Sequence, residues 1–159
     1  MRCVTDGSRS VIMVPLRLAV VSEDWVRSRR DAYAEHVAAL ERRRAAETAK
    51  ARVLVDDFVE RATSAGLAPH PLTAGPERDT RYRTGLVGWY VKPDRSLGVD
   101  TEGRWYVLGV PGSFRARFTG VRVEPSDPPL QVGEGARDGE SIALGALLEL
   151  RLTAGDAWR

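Results

Sequence analysis

The sequence predicts an α+β fold: a long N-terminal helix or helical hairpin, a four- or five-stranded antiparallel meander, and a C-terminal helix. Three observations predict it. Residues 23–65 contain neither Gly nor Pro and are dominated by Ala, Arg, Glu and Leu. Residues 86–110 break into short β-type runs separated by turn residues. Residues 142–153 then return to apolar side chains at helical spacing.

The elements follow in chain order. Residues 1–21 read as an N-terminal tail and extended arm. Met1–Ser10 is polar and reads as a disordered tail or a start-site artefact, since Met13 could equally begin the protein. Val11–Val21 is apolar but interrupted by Pro15 and Arg17, which suits a strand or arm lying on the domain. It is too short for a transmembrane helix. No small-x-small cleavage site follows it, so a secretory signal is not expected and the expected location is cytoplasmic.

Residues 22–66 carry the helical signal. Ser22 is placed to cap the start, and Glu23 and Asp24 put negative charge in the first turn. Gly66 suits the C′ position, with Leu67 behind it and Pro69 and Pro71 preventing continuation. Ala51, Leu54, Val55, Phe58, Val59 and Ala62 form a stripe broad enough to bury against a sheet. Upstream, Val26, Tyr33, Val37 and Leu40 make a thinner seam of coiled-coil width.

Length decides what that seam is for. Residues 23–65 at ~1.5 Å each make a rod of about 65 Å, whereas a compact domain of this size is roughly 40 Å across. The rod must break, protrude or pack against another chain. A long parallel coiled coil fits poorly, because Arg44 and Glu47 would occupy the next seam positions. A hairpin, or an antiparallel pairing of two chains, fits better.

Residues 67–85, with four Pro or Gly before Gly85, read as a linker or long loop. Three strands follow at Leu86–Lys92, Ser96–Asp100 and Arg104–Val110. Arg117–Val123 is the expected fourth strand. Leu130–Val132 is a candidate fifth at an edge, given Pro128 and Pro129 before it. Ser141 is placed to cap the last helix, Ile142–Thr153, with Ile142, Leu144, Leu147, Leu148 and Leu150 as its apolar positions. The sheet and last helix thus span 86–153, with 22–153 as one domain and 154–159 as a tail.

Composition bounds the function. A chain of 159 residues with 43% hydrophobic and 29% charged side chains is that of a globular domain able to fold without metal or disulfide. Its single cysteine, Cys3, excludes an internal disulfide and a cysteine-based zinc site. The net charge is +2, too small to indicate a nucleic-acid or membrane partner. Lys50 and Lys92 are the two lysines among 24 basic residues. A codon preference would produce that pattern, so arginine richness alone does not argue for phosphate recognition.

Catalytic arrangements fail on spacing or charge. His36 sits mid-helix and His70 between two prolines, neither with the i+4 partner that helical metal sites use. Asp56 and Asp57 diverge by about 100° on a helix. Asp100 and Glu102 flank a turn, and Asp138 and Glu140 lie in the glycine-rich run Gly133–Ser141. That run has the setting of a phosphate loop, but Glu140 stands where a lysine would be wanted and three acids would repel an anion. No cofactor and no metal is expected. An enzyme using His70 or Asp100 in a cleft between linker and sheet is the least favoured reading.

Binding is the expected function. The first reading is a cytoplasmic, non-enzymatic adaptor or regulator that self-associates, as a homodimer, or docks a protein partner. Val26, Tyr33, Val37, Leu40 and Arg44 are its interface candidates. The alternative is nucleic-acid binding by the sheet. Between Arg78 and Arg122 there are nine basic and four acidic residues. Two Trp-Tyr pairs lie among them, and alternation along a strand should send one ring of each pair outward. Arg81, Arg83, Trp89, Tyr90, Arg104, Trp105, Tyr106, Arg115 and Arg117 are the candidates there, the rings stacking bases. No membrane partner is expected.

Overall fold

The computed structural model describes residues 17–76, 80–133 and 141–158. The expected tail before residue 17, the pair Asp138 and Glu140, and most of the glycine-rich run lie outside the described residues. The architecture is α+β: a long N-terminal helix, a four-stranded antiparallel sheet and a C-terminal helix.

Helix α1 runs unbroken from Arg17 to Ser64, 48 residues. It is one helix, so the hairpin alternative falls. It also begins five residues before Ser22, which is therefore no cap, and residues 17–21 are helical rather than an extended arm. Pro15 is the last breaker upstream, and nothing between it and Ser22 opposes the helix. The C-terminal end follows expectation. Gly66 adopts φ +72, Leu67 N–H donates to Ala62 O at 2.9 Å and Gly66 N–H to Thr63 O at 3.0 Å. This is the Schellman pattern, and it carries Leu67 into the core beside Ala62. The chain divides into two units, Met1–Arg42 and Arg43–Arg159, and α1 runs through the division.

The second unit holds the sheet. Strands β1 (His70–Ala74), β2 (Tyr82–Tyr90), β3 (Leu97–Asp100) and β4 (Trp105–Val107) pair antiparallel in the order β1-β2-β3-β4. β1 corrects the reading of 67–85 as a linker. It is an edge strand, where Pro71 needs no N–H partner, and its register with β2 slips between Pro71 and Thr73. The meander also joins its own ends. Gly75 N–H donates to Leu108 O at 2.9 Å and Val110 N–H to Gly75 O at 3.2 Å. The chain just beyond β1 thereby bonds to the chain just beyond β4.

Alternation gives the sheet two apolar faces. Trp89, Val91, Val99 and Trp105 face α1 and bury with Ala51, Val55, Phe58 and Ala62, the broad stripe expected from sequence. Phe58 meets Trp89 edge-on, ring centroids 6.0 Å apart at 89°. On the other face, Leu72, Ala74, Tyr106 and Leu108 form a second cluster, with Val110, Val121 and Val123 packed against it.

Arg117–Val123 is not a strand. Ala116–Thr119 forms a one-turn helix, α2, which ends at Gly120 with φ +78. The strap 121–126 then bonds to the sheet at two points, Val121 N–H donating to Arg83 O at 2.8 Å and Ser126 N–H to Trp105 O at 2.9 Å. Leu130–Val132 does contain a strand, but β5 (Gln131–Val132) pairs with β6 (Ile142–Ala143) in a separate ribbon. Helix α3 consequently starts at Leu144, two residues later than expected, and Ser141 does not cap it. Leu144, Leu147 and Leu148 are buried, whereas Leu150 is exposed. The expected loose tail includes a 3₁₀ turn, Gly155–Ala157.

Candidate interaction surfaces

In the first unit the thin seam of α1 is bare. Tyr33 is 71% exposed, Val26 42% and Leu40 41%, while Val37 is half-buried. Val26, Tyr33 and Leu40 stand seven residues apart, so they return to one side of the helix every two turns. Trp25, also exposed, extends this surface, with the Arg29 guanidinium 4.5 Å from the centre of its ring. Arg44, the fifth interface candidate, lies in the second unit and is exposed.

The sheet does not present the rings expected of it. Trp89, Trp105 and Tyr106 are buried, because both faces of the sheet are covered: one ring of each Trp-Tyr pair packs toward α1 and the other toward the second cluster. Tyr90 is half-buried, and its hydroxyl is held by Thr73 N–H at 2.8 Å. No base can stack on rings so covered. Two of the arginines are also engaged: Arg81 donates to the carbonyls of Thr73 and Arg95, and Arg104 to Asp100. Arg83, Arg115 and Arg117 are exposed.

Asp100 is buried and fully engaged. Its Oδ1 accepts the N–H groups of Glu102 (3.0 Å) and Arg104 (2.9 Å). Its Oδ2 accepts Arg104 Nε at 2.7 Å and the Tyr106 hydroxyl at 3.0 Å. Burial pushes this carboxyl up, but those donors more than offset it and hold it below the usual aspartate value. A carboxylate with four donors shapes a turn and has no lone pair to spare for a substrate proton. His36 and His70 are both exposed. Among the described residues, no three His, Cys, Asp or Glu side chains gather as a metal site would need, and no helix is long and apolar enough to cross a membrane.

No protein-family model, curated protein or solved structure matches the chain.

Two features escaped the sequence reading. Phe114 and Phe118 are exposed and pack edge-on, centroids 5.5 Å apart, with Arg115 and Arg117 between them in sequence. The signal was there: two aromatics at i and i+4 with arginines between, the second of them in the segment 117–123 read as strand. The other is Arg151, only 5% exposed. It stands in phase with Leu144, Leu147 and Leu148 on α3, so a charge on the buried face of a helix was legible once that face was fixed.

Proposed function

We propose that the protein is a non-enzymatic cytoplasmic interaction protein that self-associates as an antiparallel pair of α1 helices. The observation that carries this reading is the bare heptad seam Val26–Tyr33–Leu40. Helix propensity alone does not keep apolar side chains in water at coiled-coil spacing, and a second helix would bury them. Charge selects the orientation. Glu23 and Asp24 open the seam segment and Arg42 closes it. An antiparallel partner sets the acidic first positions of the segment, Glu23 and Asp24, of one chain toward Arg42 of the other, although Arg27, Arg29 and Arg30 follow them and Asp24 also meets Arg27 at 3.4 Å. A parallel partner sets like beside like. The single cysteine, with no disulfide framework, agrees with a reducing compartment.

The test is the mass of the full chain by light scattering at several concentrations. Twice the 17.5 kDa chain mass is expected, falling to one chain mass in the Tyr33→Glu/Leu40→Glu variant. A wild-type mass that stays at one chain up to the highest soluble concentration refutes self-association.

A second reading, nucleic-acid binding, finds support in a different place from the one the sequence suggested. The exposed Phe114–Phe118 pair brackets the exposed Arg115 and Arg117 in sequence, and the strap that follows α2 bonds to Arg83. Binding of a single-stranded oligonucleotide that weakens steeply with salt, and disappears in Phe114→Ala/Phe118→Ala, is the outcome this reading requires.

A further inference from the structure

We propose that the cavity bounded by β1, the β2–β3 turn and the C-terminal 3₁₀ turn binds a small organic oxyanion, a phosphate or a carboxylate carried on a compact apolar body. The cavity measures about 380 Å³, and all of its lining residues belong to the second unit. Small-molecule sites span roughly 300–1,000 Å³.

Arg151 is the centre of the argument. Its Nε donates to Tyr90 O at 2.9 Å and its Nη1 to Gly155 O at 2.6 Å. Both acceptors are neutral carbonyls, and no carboxylate among the described residues pairs with it. Among the described residues its Nη2 has no acceptor, although the side chain lines the cavity. A buried guanidinium without a counter-charge is expensive to hold. Burial lowers the affinity of this one for its proton, and the nearby Asp156 only partly opposes that. An entering oxyanion would supply the missing charge and accept the remaining N–H donors in fork geometry.

The surroundings agree. Arg95 and Lys92 add two more cations to the wall, Lys92 already pairing with Asp94 at 2.9 Å, and Asp156 is the lining carboxylate. The Arg95 guanidinium stands 5.5 Å from the centre of the Tyr90 ring, and Arg95 holds a left-handed φ of +62 in the turn that carries it. Trp158 lines the cavity beside Arg151, whose guanidinium stands 5.9 Å from the centre of its ring. Its indole Nε1 is the one buried side-chain donor left without a partner among the described residues. Tyr90, Trp158 and two prolines give the wall apolar surface beside His70 and Thr73, which suits an organic body rather than a bare ion.

The experiment titrates the full chain with phenyl phosphate, benzoate and, as an uncharged control, benzyl alcohol. Ionic strength is held constant and the Trp158 indole N–H resonance is followed. A saturable shift with at least one of the two anions and none with the alcohol is expected, and the tighter arm assigns phosphate or carboxylate. Inorganic phosphate should compete at least tenfold more weakly than phenyl phosphate if the phosphate arm wins. Lys92→Gln/Arg95→Gln, at sites outside the core, should weaken binding at least tenfold while leaving the urea midpoint unchanged. Arg151→Gln should abolish binding if it folds, and the Lys92/Arg95 variant decides the matter if it does not. No saturable shift with either anion, or equal affinity in wild type and the Lys92/Arg95 variant, overturns the site. None of these outcomes depends on whether α1 self-associates.

Discussion

The Tyr106 hydroxyl donates to Asp100 Oδ2 across 3.0 Å, joining the second apolar cluster to the β3–β4 turn. Both groups are buried, and each shifts the other. Burial pushes the Tyr106 phenol up, and its bond to the Asp100 carboxylate pushes it further. The carboxylate is held below the usual aspartate value despite burial, because four donors favour its charged form.

A carboxyl with a depressed pKa in the folded state stabilises that state above its unfolded value of roughly 3.9. The contribution fades as pH falls through the lower, folded value. Asp100→Asn keeps the shape and removes the charge. It should cost about 2 kcal/mol at neutral pH, since Arg104 and Tyr106 lose an ionised acceptor. It should also flatten the acid limb of stability. Urea unfolding of both proteins between neutral pH and pH ~3 checks this. Equal losses in wild type and variant on acidification would show that the turn carboxylate is not what acid titrates.

Phe58 is the side chain through which α1 grips the sheet. It is almost wholly buried and meets Trp89 edge-on, while Trp89 Nε1 donates to Leu67 O at 3.0 Å just past the helix end. Phe58→Ala should cost about 3–5 kcal/mol, from lost burial plus the cavity left under the indole. Phe58→Leu should cost about 1.5 kcal/mol, because it keeps most of the volume. Urea midpoints give both values, and a drop of under 1 kcal/mol for the alanine variant would place the grip elsewhere.

How much of this was legible depended on whether the signal was local. The Gly66 helix stop could be read because a left-handed glycine followed by Leu67 and Pro69 has one local meaning. The stripe Ala51–Ala62 could be read because period and width are both local. β1 could not, because Pro71 signals a loop, and only pairing with β2 shows that an edge position excuses it. Trp105 and Tyr106 were misjudged for the same reason. Alternation correctly put them on opposite faces, but it says nothing about whether a second cluster covers the other face. Arg151 needed both α3 and the cavity wall before its missing counter-charge could be seen.

The joining of the meander's ends depends on the smallness of one residue. A Cβ built on Gly75 would lie 1.8 Å from Thr80 O, a backbone atom that cannot swing away. Gly75→Ala must therefore displace Thr80 or Gly75 itself and weaken the bond to Leu108 O. A loss of about 2–3 kcal/mol is expected. Gly109, its bridge partner, supplies the control, since a Cβ there meets nothing within 4 Å. Gly109→Ala should stay within about 0.5 kcal/mol of wild type. Equal effects of the two substitutions would mean that the closure is not governed by space at Gly75.

The orientation of the proposed α1 pair is decided by reversing charge at one end only. In an antiparallel pair, Glu23 and Asp24 of one chain lie toward Arg42 of the other, so Glu23→Arg/Asp24→Arg replaces attraction with repulsion at both ends of the interface. The dimer should weaken at least tenfold, and the wild-type dimer should itself weaken as salt screens those contacts. In a parallel pair Glu23 and Asp24 already face their own copies, and the same variant would leave affinity unchanged. Sedimentation at low and high salt separates the two. The core of the second unit is the internal control: its urea midpoint should not move, because Glu23 and Asp24 are exposed and distant in sequence from every residue of either apolar cluster.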